Sequence, residues 1–291
     1  GGRPLIVLIF VLLGALWGAS FLFLRIAAPE FGAALSAELR VGLAWLALWA
    51  LVQLSPWARA QSRQTAGVSW RVFALIGLLN SALPFALYGL AALVLPAGYM
   101  AILNALVPLW GGLLAIRFLQ EPLQPALVVG VALAATGVAL MVKLGPLELS
   151  LEVLLGVLAC MGATLCYAIA GILTKRLLSN ASGYANALNS LFFAACWLLP
   201  LGLLQAPTAH PSAQAWMAVG ALALGSTAVA YLIFFRLIRD LGPIRATSVT
   251  FLIPAFGVLW GVIFLGEPLS LGMLLGFTLV LSASLLVLRK A

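Results

Sequence analysis

The sequence predicts an all-α membrane protein of ten transmembrane helices, built as two inverted five-helix repeats with both termini in the cytoplasm. Three observations predict it: composition, an internal repeat, and the placement of charge. Of 291 residues, 65% are hydrophobic and 8% charged, with a mean hydropathy of +1.20. Ordinary soluble domains carry roughly 25% charged residues. A soluble core could not absorb so much apolar surface, so the chain reads as polytopic.

The repeat appears when the sequence is slid by 146 residues, which lays Ile244–Pro268 under Gly98–Pro122. Between Leu106 and Leu133, 11 of 28 positions are identical at that offset. They include Pro108 with Pro254, Gly111 with Gly257, and Glu121-Pro122-Leu123 with Glu267-Pro268-Leu269. Shared Leu and Gly follow from composition, but a shared Glu-Pro-Leu with a proline upstream does not. Self-similarity at a fixed offset sets architecture before any local reading. The units are residues 1–146 and 147–291.

A span needs about 20 apolar residues. Leu5–Leu24 is a charge-free run of that length. Further spans follow it, so it reads as helix 1 rather than a signal peptide. Helices 2, 3 and 4 are expected at Ala33–Leu54, Arg71–Ala91 and Ala97–Phe118. Helix 5, Leu123–Val142, is expected to open on Pro122, since proline suits a first helical position. Helices 6, 7, 8 and 9 fall at Leu151–Leu173, Tyr184–Leu204, Gln214–Phe235 and Ile244–Leu265. Helix 10, Leu269–Leu288, is expected to open on Pro268.

With the N-terminus inside, 12 of the 15 basic residues fall on the cytoplasmic side, among them Arg59, Arg63, Lys175, Arg176 and Lys290. Arg25, Arg40 and Lys143 fall outside. This split sets the orientation by the positive-inside rule. The net charge of +8 is then a topology signal and needs no nucleic acid partner. Five helices per unit is an odd number, so the second unit enters from the opposite side. Such inverted repeats give secondary transporters alternating access to a midplane site.

The 5+5 plan, Trp17-Gly18 in helix 1, and Glu-Pro after helices 4 and 9 resemble the ten-helix EamA-type members of the drug/metabolite transporter superfamily. The chain looks most like the YddG-type exporters of aromatic and other hydrophobic amino acids. That resemblance implies export from the cytoplasm across a bacterial inner membrane.

The site is expected where polar residues share a helix face with a proline. Proline removes a backbone hydrogen bond, and in lipid the freed carbonyl must face protein or a water-filled cavity. Met100, Asn104 and Pro108 are spaced i, i+4, i+8, as are Ala246, Thr250 and Pro254, and Asn80, Pro84 and Tyr88. Helix 8 offers Thr227 and Tyr231 behind Gly225. Taken singly, each proline reads equally as a packing kink and each Asn or Thr as interhelical glue. Trp17, in helix 1 with Ser20 and Phe21, is expected to wall the cavity. Tyr167 is either wall or core. Trp110 and Trp260 read as packing, and Glu121 and Glu267 as groups that bond amides at helix starts. Glu38 and Arg40 are expected near the outer end of helix 2, paired with each other or snorkelling to the interface. The glycine pairs Gly14/Gly18, Gly257/Gly261 and Gly272/Gly276 have the spacing that lets backbones approach closely.

No carboxylate is expected in the central third of a span, and position 14 is glycine, so the buried glutamate of ion-coupled multidrug antiporters is missing. A strongly charged substrate would then meet no compensating charge, which is costly. A zwitterionic or neutral substrate with an apolar body fits. One histidine, His210, and three scattered cysteines make no metal site, and no catalytic motif or cofactor fingerprint is present. The expectation is a monomeric exporter of aromatic and other apolar amino acids, running as a facilitator. A broad drug or metabolite exporter is the rival; a passive pore or intramembrane enzyme is the reading from another class.

Overall fold

A computed structural model describes residues 3–118, 120–205, 207 and 210–289, so Lys290 lies outside the described residues. It holds ten helices long and apolar enough to cross a membrane. They are α1 (Pro4–Phe31), α2 (Ala33–Leu54), α3 (Trp70–Ala91), α4 (Ala97–Phe118), α5 (Pro125–Lys143), α6 (Leu151–Leu177), α7 (Gly183–Leu204), α8 (Ala213–Leu241), α9 (Arg245–Leu265) and α10 (Leu271–Leu288). Among the described residues there is no strand.

Several helix ends differ from the sequence expectation, each for a local reason. α1 runs past Leu24 to Phe31, because Arg25 is satisfied inside the bundle by the Ala92 carbonyl at 2.7 Å. Gly32, at φ 81°, then reverses the chain in a single residue, a conformation that costs glycine least. α5 opens on Pro125 rather than on Pro122. α10 opens after Ser270, whose hydroxyl accepts from the Met273 amide, rather than on Pro268. The connection after α2 contains a short helix, Pro56–Ser62, capped by Ser55.

Four helices are interrupted. α3 carries a π-helical stretch, Leu78–Ala82, just before Pro84; the Leu83 amide reaches back five residues to the Leu78 carbonyl. α4 breaks after Asn104 and resumes at Val107. Pro108 has no amide to give, and the Leu109 and Trp110 amides both bond the Leu106 carbonyl, at 3.0 and 3.2 Å. The Ala105 carbonyl thus released accepts the Ser284 hydroxyl of α10 instead. In α9 a 3-10 stretch, Ser248–Phe251, precedes the helix that contains Pro254. α8 has no proline, yet Ala221–Val229 is π-helical. There, Thr227 donates to the Leu222 carbonyl at 2.9 Å and Ser226 to Leu16 of α1 at 2.7 Å. The offset of 146 residues carries the π stretch of α3 into that of α8.

Packing joins helices that are far apart in sequence. α5 lies along α10, α2 along α7, and α1 along α9, which also covers the first piece of α4. All three glycine pairs pack within the chain. A Cβ on Gly18 would come 2.7 Å from that of Phe256, one on Gly257 would strike Ala101, and one on Gly276 would come 2.9 Å from that of Met141. Ala97–Leu103 is buried throughout, so the broken α4 runs through the interior.

Candidate functional site

A buried arginine organises the site. Arg40 is 6% exposed. Its Nε donates to Thr227 Oγ1 of α8 at 3.0 Å, and Nη2 to Ser20 Oγ of α1 at 3.4 Å. The guanidinium lies 3.7 Å from the centre of the Phe85 ring of α3, a cation–π arrangement. Tyr167 of α6 and Tyr231 of α8 stand close enough to interact with its charge. The expectation that Arg40 pairs with Glu38 or snorkels outward is therefore wrong. Seven residues into α2, at 1.5 Å per residue, put it roughly 10 Å below the helix start. Residues two apart on a helix do not face each other; Glu38 points instead toward Gly42 and α7. Arg40 also overturns the view that a charged substrate would meet no compensating charge. Its signal was present in the sequence, because an ionisable residue deep in a span marks a functional site by default.

The second part of the site is Tyr88, 2% exposed, whose hydroxyl donates to Asn104 Oδ1 at 3.0 Å. Asn104 is the last residue before the break in α4, so the interruption and its polar side chain come together. Tyr88 stacks on Tyr167 at 6.3 Å between ring centres and takes the edge of Phe21 at 5.2 Å. α1, α2, α3, α4, α6 and α8 thus meet through Ser20, Phe21, Arg40, Phe85, Tyr88, Asn104, Tyr167 and Thr227. Asn104, Tyr167 and Tyr231 are only half-buried, although fully buried residues lie beside them in sequence.

Other expected site residues stand apart. Trp17 packs on Phe234 of α8 at 5.2 Å, one turn along α1 from Ser20 and Phe21. Asn80 is half-buried in the π stretch of α3, with Pro84 buried just beyond it. Thr250 spends its hydroxyl on the Thr247 carbonyl of its own helix at 2.9 Å, and among the described residues no hydrogen bond joins it to the Arg40–Tyr88 cluster. Of the carbonyls released near Pro108, that of Ala105 is taken by Ser284. Pro254 is buried where α9 packs on α1 and α4.

Of the four residues expected to be structural, Trp110, Trp260 and Glu267 behave so. Trp110 bonds Thr164 of α6 and Trp260 bonds the Ala15 carbonyl of α1, each at 3.0 Å. Glu267 accepts from the Ala97 and Gly98 amides, at 2.7 and 3.2 Å, and so caps the start of α4 from the end of α9. Glu121 is exposed. Cys160 and Cys166 are buried, and no group of three His, Cys, Asp or Glu that could hold a metal is found among the described residues.

A sequence model described as the EamA-like transporter family matches residues 5–143 and 154–289. The chain belongs to the EamA-like transporter family. It is similar to an uncharacterized transporter, YvbV, of Bacillus subtilis (strain 168): 26% identical over 230 residues, covering 77% of this chain and 73% of the relative. It is also similar to protein PecM of Dickeya dadantii (strain 3937): 28% identical over 224 residues, covering 76% of this chain and 74% of the relative. A solved crystal structure aligns over 99% of this chain and 98% of its own, with a TM-score of 0.64 and 19% identity, a likeness of fold alone. As an EamA-like transporter the chain is a multi-pass membrane protein of the drug/metabolite class.

Proposed function

We propose that this EamA-like transporter exports amino acids with aromatic or other apolar side chains across a bacterial inner membrane, by alternating access between two inverted five-helix halves. The observation that carries the reading is the buried cluster of Arg40, Tyr88, Asn104, Tyr167 and Thr227 at the meeting of six helices. It combines hydrogen-bonding groups for the polar end of an amino acid with rings for its side chain. Aromatic pairing contributes roughly 0.5–1.5 kcal/mol beyond area burial, which favours aromatic over small substrates. Half-buried Asn104, Tyr167 and Tyr231 suit a site that is entered from water and closed around its cargo.

Three observations support the inverted repeat as the moving plan. The family match divides at the join between the two units. The π stretches of α3 and α8 coincide at the repeat offset. The chain breaks of α4 and α9 fall at equivalent places. π-bulges appear frequently at functional sites and leave backbone groups free to re-pair. The mechanism is then a rocking of the halves about the Arg40–Tyr88 cluster. Phe21, Phe85, Tyr88 and Tyr167 would hold the side chain of the cargo; Asn104, Tyr231 and Thr227 would bond its polar end.

Uptake of labelled phenylalanine into proteoliposomes, with and without an imposed pH gradient, tests this reading. Saturable uptake competed by other apolar amino acids, independent of the gradient, is the expected result for a facilitator. Absence of uptake by folded protein overturns the amino-acid assignment and leaves a transporter of another metabolite.

A further inference from the structure

We infer that Arg40 is a carboxylate anchor, so that the transported class is small organic acids, amino acids among them, with an apolar body. This rests on the reading above that the Arg40–Tyr88 cluster is the substrate site. Every group bonded to Arg40 is neutral. Ser20 and Thr227 offer hydroxyls, Phe85 a ring face, and Tyr167 and Tyr231 stand by as phenols. Among the described residues the ion pairs are those of Arg236 and Arg239 with Asp240, at the end of α8. Glu38, the acid nearest in sequence, lies on another face of α2, against Gly42 and Gly202.

An arginine stays charged in proteins, and its planar fork presents five donors. Two of these are used on hydroxyls, which satisfy hydrogen bonds without balancing charge. A buried charge is tolerated when it is paired and hydrogen-bonded. A carboxylate brought by the cargo supplies the missing charge in a two-oxygen geometry that fits the guanidinium. The rest of the setting suits this role. Phe85 and Thr227 fix the plane of the fork from two helices. The rings of Phe21, Tyr88 and Tyr167 form the adjoining wall for an apolar body. The ammonium of an amino acid finds only neutral acceptors, such as Asn104 and the phenols, so the carboxylate dominates recognition.

A purely structural role for Arg40, tying α1 and α8 to α2, makes a different prediction. It gives no reason to distinguish an acid from its amide. The test measures binding of 3-phenylpropionate and of 3-phenylpropanamide to the purified full chain in detergent. The pair shares size and ring and differs in the carboxylate. The acid is expected to bind at least tenfold more tightly. Arg40→Gln is expected to abolish that preference, and Arg40→Lys to retain part of it. An amide that binds as well as the acid, or binding of neither, overturns the proposal; so does a Gln variant that keeps the full preference. The wild-type comparison decides even where the Gln variant does not fold. Acid binding without phenylalanine uptake sinks the amino-acid reading and leaves the anchor. Phenylalanine uptake without acid preference does the reverse.

Discussion

At the residue scale, Tyr88 and Asn104 form one unit, and each is present in the sequence stripe that places it. Tyr88→Phe removes the donor and leaves Asn104 Oδ1 to find another partner. An unsatisfied buried polar group costs about 1–3 kcal/mol. A lower melting temperature and weaker ligand binding are expected, both readable on purified protein. Trp17→Ala removes a ring that packs on Phe234. Because that contact lies apart from the Arg40–Tyr88 cluster, aromatic and small apolar cargo are expected to lose transport about equally. A loss confined to aromatic cargo would show that Trp17 shapes the site after all.

Arg40 carried its signal in the sequence as an ionisable residue within a span, but its partners were not legible there, for a definite reason. Its neighbour Glu38 suggested a local pair, and the partners that hold it come from α1, α3 and α8, up to 187 residues away in sequence. Thr250 shows the opposite error. It shares a helical stripe with Pro254, but its hydroxyl is consumed by its own backbone, a habit of Ser and Thr in helices that spacing alone does not reveal.

At the element scale, apolar run length was enough to count the ten helices, and the prolines marked the breaks in α3 and α4. The π stretch of α8 carried no such mark, because it holds no proline; there the Thr227 hydroxyl bonds the Leu222 carbonyl of the stretch, and Ser226 reaches across to the Leu16 carbonyl of α1. The cap of α4 was legible in kind but not in partner. Glu267 was expected to bond amides at a helix start, and the helix turns out to begin 170 residues earlier. Glu267→Ala removes two charge-assisted bonds, each worth roughly 1.5–3 kcal/mol. A clear fall in melting temperature is expected. Glu121→Ala, at the exposed repeat-equivalent position, is expected to change stability by no more than about 0.5 kcal/mol. Equal losses would contradict the asymmetry between the two ends. Close packing of α9 on α4 makes a third element-scale prediction. Gly257→Val drives a side chain into Ala101, an overpacking that costs about 1–3 kcal/mol, visible as reduced yield and thermal stability.

At the scale of the whole molecule, the proposed two-half arrangement draws its site from both halves, with Arg40, Tyr88 and Asn104 from the first and Tyr167 and Thr227 from the second. The proposed orientation rests on charge, since a cytoplasmic N-terminus puts 12 of the 15 basic residues on the cytoplasmic side. Reporter fusions at the two termini are expected to report the same cytoplasmic location; opposite locations would break the inverted arrangement. A carrier of this kind exposes one site to each side in turn, whereas a pore opens to both at once. Counterflow separates them. Proteoliposomes loaded with unlabelled phenylalanine are diluted into a trace of labelled phenylalanine, and internal label is followed in time. Transient accumulation of label above equilibrium, lost in the Arg40→Gln variant, is the predicted result. Monotonic equilibration without overshoot would contradict alternating access around the buried cluster.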